Sequence, residues 1–197
     1  MNPKIAIVAG STRTGSVNKK LAMEAARRLG KTDVHLTLID LVDYPLPLYD
    51  GDDEVERGIP VNAMKLAEQI NRQDGLLIVS PEYNSSVPPL LKNAIDWASR
   101  VRRLGDRPVQ PFKGLVVGLA SVSPGSGGGM KGLEAWRPVM RSVGAEVITS
   151  QCAVPNAGKA FDDETGLAED SVRMRFDALL ESLIDVSRSL ARTLERD

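Results

Sequence analysis

Cysteine, histidine and aromatic residues are scarce in this chain. One cysteine, Cys152, occurs in 197 residues, which excludes an internal disulfide and suits a reducing compartment. With nothing to bridge to, it reads as a small buried hydrophobe. The one histidine, His35, alternates away from the Val34, Leu36 and Leu38 face of an apolar run and is read as structural. No serine–histidine pair or metal-ligand cluster is spelled out, and no metal site is expected. An excess of either charge is also lacking: 25 basic residues stand against 26 acidic ones, for a net charge of −1, and no basic block appears. That balance argues against a nucleic-acid-binding surface. No apolar run approaches the roughly 18 residues needed to span a bilayer, and Met1 leads straight into strand-like sequence without a charged-then-apolar leader. The expectation is a soluble, cytoplasmic protein with neither nucleic acid nor membrane as a partner.

What the chain does have is regular alternation. KIAIVAG (4–10) is a continuous apolar run ending in glycine, as expected of a strand buried on both faces. VHLTLID (34–40), GLLIVS (75–80), GLVVGLAS (114–121) and EVITS (146–150) supply four more strands. Helical periodicity fills the gaps: Val17, Leu21, Ala25 and Leu29 before Gly30, then 61–72, 89–99 and 130–143. The clearest helix carries Val172, Phe176, Leu179, Leu183, Val186 and Leu190 at intervals of three or four. Such alternation predicts an α/β fold with a parallel sheet and helices on both faces. Five strands suit the flavodoxin-like, doubly wound order 2-1-3-4-5. The length suits one domain spanning residues 1–197, with no repeat or low-complexity tract. Two long loops are expected at 43–60 and 151–168. The acidic set in the first (Asp50, Asp52, Asp53, Glu54, Glu56) lacks the glycine and ligand spacing of a calcium loop and reads as a solvated loop.

The loop GSTRTGSVN (10–18) follows the first strand, where an open parallel sheet places its ligands. A helix starting near Val17 offers unpaired amides and the positive end of its dipole. Ser11, Thr12, Thr14 and Ser16 add hydroxyls, and Arg13 adds a forked, permanent charge suited to phosphate oxygens. Three phosphate templates fail in detail. The triphosphate loop needs a lysine after its second glycine, where Ser16 and Val17 stand. The dinucleotide fingerprint needs a glycine where Thr12 stands, which leaves Asp40 as a weak echo of the ribose-binding acid. A receiver domain needs an aspartate where Ser80 stands. A loop for one terminal phosphate survives, beside the plainer reading of a polar, serine-capped turn.

The second stretch is SPEYNSSVPPLLKNAIDWAS (80–99). Pro81 stiffens the strand exit, and Pro88 and Pro89 open the next helix, where a missing amide hydrogen costs nothing. Tyr83 is suited to lie against a flat ring, and Asn84 with the local amides to bond its edge. By itself the stretch also reads as a proline-bounded turn. Together with the arginine loop it makes a site with a phosphate end and a planar-ring end.

GSTRTGSVNKKLA and SPEYNSSVPPLLKNAIDW resemble the two signature segments of the NAD(P)H-dependent FMN reductases, a family that includes quinone, chromate and azo-dye reductases. The resemblance extends to SVSPGSGGGMKGLEAWRPVMRSVGAE (121–146) and AFDDETG (160–166). It implies FMN as cofactor, with its phosphate at Ser11, Arg13, Ser16, Val17 and Asn18. It puts the ribityl chain and ring at Pro81, Glu82, Tyr83 and Asn84, and the ring edge at Ser121, Ser123 and Gly125. The implied reaction takes hydride from NADPH or NADH and delivers electrons to a small-molecule acceptor such as a quinone or free flavin, without a catalytic side chain. Two rivals stand beside it: a flavodoxin-type electron carrier without pyridine-nucleotide turnover, and a scaffold that has lost its cofactor. The family also implies a homodimer or homotetramer. At the end of the 88–100 helix, Trp97, Arg100, Arg102 and Arg103 then face a neighbour, or the arginines face solvent or a nucleotide phosphate.

Overall fold

The computed structural model describes residues 2–162 and 166–191. Five parallel strands form one sheet: β1 (Lys4–Ala9), β2 (His35–Ile39), β3 (Gly75–Val79), β6 (Val116–Val122) and β7 (Glu146–Val154), in the order β2-β1-β3-β6-β7. Counted along the chain this is 2-1-3-4-5, the doubly wound flavodoxin-like order. β3 and β6 are buried along their whole length, which is why they read as unbroken apolar runs. Helices α1 (Val17–Leu29) and α6 (Asp170–Ser189) cover one face, packing Leu21, Leu29, Phe176 and Leu183 against Ile7 and Leu77. On the other face lie α3 (Val61–Asn71), α4 (Pro89–Arg100) and α5 (Met130–Ser142), with Leu66, Ile95 and Trp136 against Ile78 and Leu119. Among the described residues no helix is long and apolar enough to cross a membrane.

Three small elements escape the hydrophobic pattern. The stretch 43–60, expected as a loop, contains α2 (Gly51–Arg57), a helix with no buried residue and therefore no apolar stripe to announce it. The acidic residues there have local duties: the Asp50 carboxylate caps α2 by accepting from the Asp52 amide at 2.8 Å, and Glu54 pairs with Arg100 at 2.9 Å. A hairpin of β4 (Arg103–Leu104) and β5 (Arg107–Pro108) follows α4. A second, β8 (Phe161–Asp162) with β9 (Gly166–Leu167), occupies part of the other expected loop. Residues 163–165 of the AFDDETG segment lie outside the described residues. The fifth strand is also longer than its expected end at 150, because a register shift carries it on to Val154.

Edge strand β2 is less buried than its alternation suggests. Val34 and Leu36 pack onto the core beneath α1 and α6, but Leu38 is 50% exposed. His35 is exposed at the start of β2, opposite Lys4. Cys152 is fully buried in β7, and burial pushes its thiol pKa up to about 11.

One buried charge ties α1 to α6. The Glu24 carboxylate, on α1, accepts from Arg27 at 2.9 and 2.7 Å and from Arg28 at 2.7 Å. Arg28 also pairs with Asp177 on α6 and lies 5.6 Å from the Phe176 ring centroid. Gly166 in β9, at φ +83°, packs onto the same carboxylate, which a Cβ there would approach to 2.7 Å. Burial raises the Glu24 pKa, but the two arginines more than offset it and hold the group below its ordinary value of 4.5. A lowered carboxylate pKa stabilises the fold above the unfolded value, and this contribution is lost as pH falls through the folded value. Glu24→Gln is therefore expected to lower unfolding free energy by about 3 kcal/mol at pH 7. In urea titrations the gap to the parent protein should narrow steadily below pH 4.5; a gap independent of pH would refute the ion-pair account.

Candidate functional site

The loops that leave β1, β3 and β6 gather at one rim of the sheet, beyond the carboxyl ends of the strands. Their backbones are locked before any ligand is considered. The Gly10 amide donates to Val79 O at 2.9 Å, and a Cβ on Gly10 would stand 3.1–3.3 Å from Leu91, Pro81 and Pro88. Glycine is thus what lets the arginine loop press against the proline-bounded turn. A turn closes from Arg13 to Ser16, with Gly15 at φ +69°. Ser16 Oγ caps α1, accepting from the Lys19 amide at 3.5 Å, and Ser11 Oγ accepts from the Arg13 amide at 3.3 Å. Ser11 and Ser16 are buried, while Thr12, Arg13 and Thr14 are exposed. Among the described residues, no protein group accepts from the amides of Thr12, Thr14, Gly15, Val17 or Asn18. Those donors, the α1 dipole and Arg13 form an anion cradle.

Asn18 has a different placement from its neighbours. It is 3% exposed, its Nδ2 donates to Val122 O and its Oδ1 accepts from Val122 N, both at 3.1 Å. The side chain therefore mimics a strand partner and fastens the start of α1 to the end of β6. Val17 beside it is half-buried against the core under α1.

The turn after β3 is strained. Tyr83 and Ser86 exchange backbone hydrogen bonds at 3.0 and 2.9 Å around Asn84 (φ +51°) and Ser85 (φ +63°). Two successive left-handed residues are the type I′ geometry, usually left to Asn-Gly, and the serine costs about 1–2 kcal/mol there. The turn presents Tyr83, which is 50% exposed, together with Asn84 and Ser85. Below them Pro81 is buried, and the Glu82 carboxylate accepts from the Gly132 amide at 2.8 Å in the first turn of α5. Deeper still, Trp136 Nε1 donates to Ser80 Oγ at 2.7 Å.

The glycine-rich loop 123–129 closes the rim. Gly128 and Gly129 have left-handed φ and no room: a Cβ would come within 2.8 Å of the Ala153–Val154 backbone and 2.0 Å of Ser121 Oγ, respectively. The loop hangs on the end of β7, since the Ser123 amide donates to Val154 O at 3.1 Å and Ala157 N to Ser123 O at 3.1 Å. Gly125 O accepts from Asn156 N at 3.4 Å. Ser121 Oγ is fully buried and has no hydrogen-bond partner.

The twelve expected site residues thus gather at one rim and divide in two. Arg13, Tyr83, Asn84 and Gly125 are exposed, with Ser123 half-buried beside them. Ser11, Ser16, Asn18 and the Glu82 side chain are hydrogen-bonded within the protein, and Pro81, Val17 and Ser121 are packed. Sequence reasoning missed Ser80 with Trp136, and Gly132 with Glu82, because those partners are 56 and 50 residues apart. It also missed a groove of about 360 Å³ beside Thr12, walled by Leu41, Val42, Tyr44, Leu46 and Leu90. Of the residues expected at the end of α4, Trp97 is not available to a neighbour. It is 1% exposed, donates to Pro47 O at 2.9 Å and meets Tyr49 edge-on. Arg100 is occupied by Glu54, while Arg102 and Arg103 are exposed.

The family model described as NADPH-dependent FMN reductase matches residues 3–159, most of the chain and every loop of the rim. The chain belongs to that family. It is 33% identical over 180 residues to a quinone reductase of Pseudomonas putida, covering 90% of each chain. It is 41% identical over 133 residues to a quinone reductase of Escherichia coli, an alignment spanning 66% of each chain, just under two thirds of that relative. Among solved structures, the flavoenzyme NAD(P)H:acceptor oxidoreductase of Paracoccus denitrificans superposes with a TM-score of 0.77 at 24% identity, covering 95% of this chain and 98% of that one. That superposition speaks for the fold. The rim itself fits FMN: free amides and a guanidinium for a phosphate, with open backbone at Gly15, Gly125 and Gly127.

Because both Val122 backbone groups are buried and served by one side chain, Asn18→Leu is expected to destabilise the protein by about 2–4 kcal/mol. Urea unfolding of the ligand-free protein checks this; an unchanged midpoint would mean that Asn18 fastens nothing.

Proposed function

We propose that the chain, acting as one flavodoxin-like domain, is an FMN-dependent reductase that oxidises NADH or NADPH and reduces a small acceptor of the quinone class. The observation that carries this reading is the paired rim: an anion cradle at α1 and an exposed tyrosine on a rigid turn after β3, held together by Gly10. Relatives named quinone reductase and, from Burkholderia, 2-hydroxy-1,4-benzoquinone reductase support the acceptor class. Bound FMN supplies the hydride chemistry, accepting from the pyridine nucleotide and returning electrons to the acceptor.

The chain's own residues bind and orient. The amides of Thr12, Thr14, Gly15, Val17 and Asn18, with Arg13, hold the phosphate, while Ser11 and Ser16 keep that loop in shape. Tyr83 and Asn84 stand beside the ring, with the Pro81–Glu82 backbone below. Ser123 and Gly125 would line its edge, over the buried Ser121. The spent side chains of Asn18 and Glu82 keep the three loops at fixed separation, so that donors meet the ligand without reorganising. We place the enzyme in the cytoplasm, where NAD(P)H is regenerated and Cys152 stays reduced. We take it to be a homo-oligomer, because Val42 and Leu90 are exposed in the groove beside Thr12, and Leu48 and Val55 add further exposed apolar surface.

The test begins with anaerobic mixing. The flavin absorbance of the loaded protein should bleach with NADPH or NADH and return on adding a benzoquinone. A flavin that stays oxidised would make the protein an electron carrier, and one that never binds would make it an empty scaffold. Arg13→Ala should weaken FMN binding about 10–100-fold and leave riboflavin binding unchanged, the size of a charge-assisted bond to phosphate. Sedimentation velocity at micromolar concentration should show a dimer or tetramer; a monomer would remove the oligomer from the proposal.

A further inference from the structure

We infer that Arg137, on α5 and outside the rim, is a positioning residue that sets the ring-edge loop through the register of β7. The inference rests on the reading that loop 123–129 borders the flavin.

The β6–β7 ladder is irregular. Val117 pairs with Val147, but Leu119 pairs with Gln151, so one residue of β6 faces three of β7. Two extra residues are the smallest insertion that keeps a strand's alternation, since one would turn every later side chain to the wrong face. Ile148, Cys152 and Val154 accordingly all point to the core under α1 and α6, with Val147 and Ala153 to the other. The bulge leaves Ile148, Thr149 and Ser150 without register partners on β6. Arg137 meets the first two: Nη1 donates to Ile148 O and Nη2 to Thr149 O, each at 3.1 Å. Its Nε and Nη2 donate to Gln151 Oε1 at 3.1 and 2.5 Å, and Gln151 Nε2 in turn donates to Glu134 Oε1 at 2.6 Å. One planar fork thus spans the irregular stretch from Ile148 to Gln151, which a lysine's single point of charge cannot do.

The register fixed here decides where the strand ends. Were the two extra residues straightened into the ladder, Val154 would run about 6.6 Å past its place beside Val122. Val154 is the peg for the rim: its carbonyl takes the Ser123 amide, and its peptide is the floor under Gly128. Asn156 and Ala157, just beyond, bond Gly125 and Ser123. Arg137 therefore acts on the ring edge through β7 and touches no ligand itself.

Three variants test this: Arg137→Ala, Arg137→Lys, and Arg141→Ala as a control that removes the same charge from the exposed face of the same helix. In flavin-free protein, amide hydrogen exchange over 123–128 and 151–157 should quicken about tenfold in Arg137→Ala, the equivalent of one lost charge-assisted bond, and less in Arg137→Lys. In loaded protein, FMN affinity should fall about tenfold and the visible circular dichroism of the flavin should change. Competition by inorganic phosphate, which reports on the cradle at α1, should stay as it was, and Arg141→Ala should match the parent throughout. Unchanged exchange in the two segments, with only a lower melting temperature, would overturn the inference. If Arg137→Ala does not fold, Arg137→Lys carries the same comparison. If the parent protein binds no FMN, the functional reading fails, and the exchange arm still decides whether Arg137 positions the loop.

Discussion

Two hydrogen bonds between one side chain and one backbone unit hold the working end of this molecule together. The rim is made of three loops, and loops have no ladder of their own to fix their separation. Asn18 supplies the missing rung by pairing with both backbone groups of Val122. The arginine loop and the glycine loop are thereby fixed to each other across the end of the sheet. Glu82 does the same between the tyrosine turn and α5, adding its charge to the positive end of that helix. Ser80 and Trp136 repeat the device at depth. Each fastener is buried or half-buried, where an unmade bond is most costly, so the arrangement is cooperative.

Rigidity bought this way permits strain elsewhere. The type I′ turn at Asn84 and Ser85 would relax if its ends were free. Pro81 is buried on one side of it and Pro88 on the other, and Gly10 packs against both. A left-handed serine persists because its surroundings over-determine it, a pattern typical of ligand-binding turns.

The sheet order and the long helices were legible because each obeys one period: unbroken apolar strands in the interior, and intervals of three and four in α1, α5 and α6. α2 was not legible, since a helix that buries nothing leaves no apolar stripe. The bulge in β7 was not, since two added residues preserve the alternation that a reader of sequence relies on. The rim's location and its residue types could be read from GSTRTGSVN and SPEYNSS. What could not be read was the division of labour within them. Ser16 and Asn18 look as ligand-ready as Arg13 in the sequence, and only the position of Val122, 104 residues away, shows where the Asn18 amide is spent. Arg137 lay inside a recognised segment and carried no signal at all, because its partners are backbone carbonyls.

The placement of the one sulfhydryl has a toxicological side. Quinones are electrophiles that arylate thiolates, and a protein that handles them repeatedly risks being consumed by its own substrate. Cys152 lies wholly under the helices of one face with its pKa pushed up to about 11, so it offers neither access nor a nucleophilic form. If the chain reduces quinones as proposed, it would meet these soft electrophiles without presenting them a thiol.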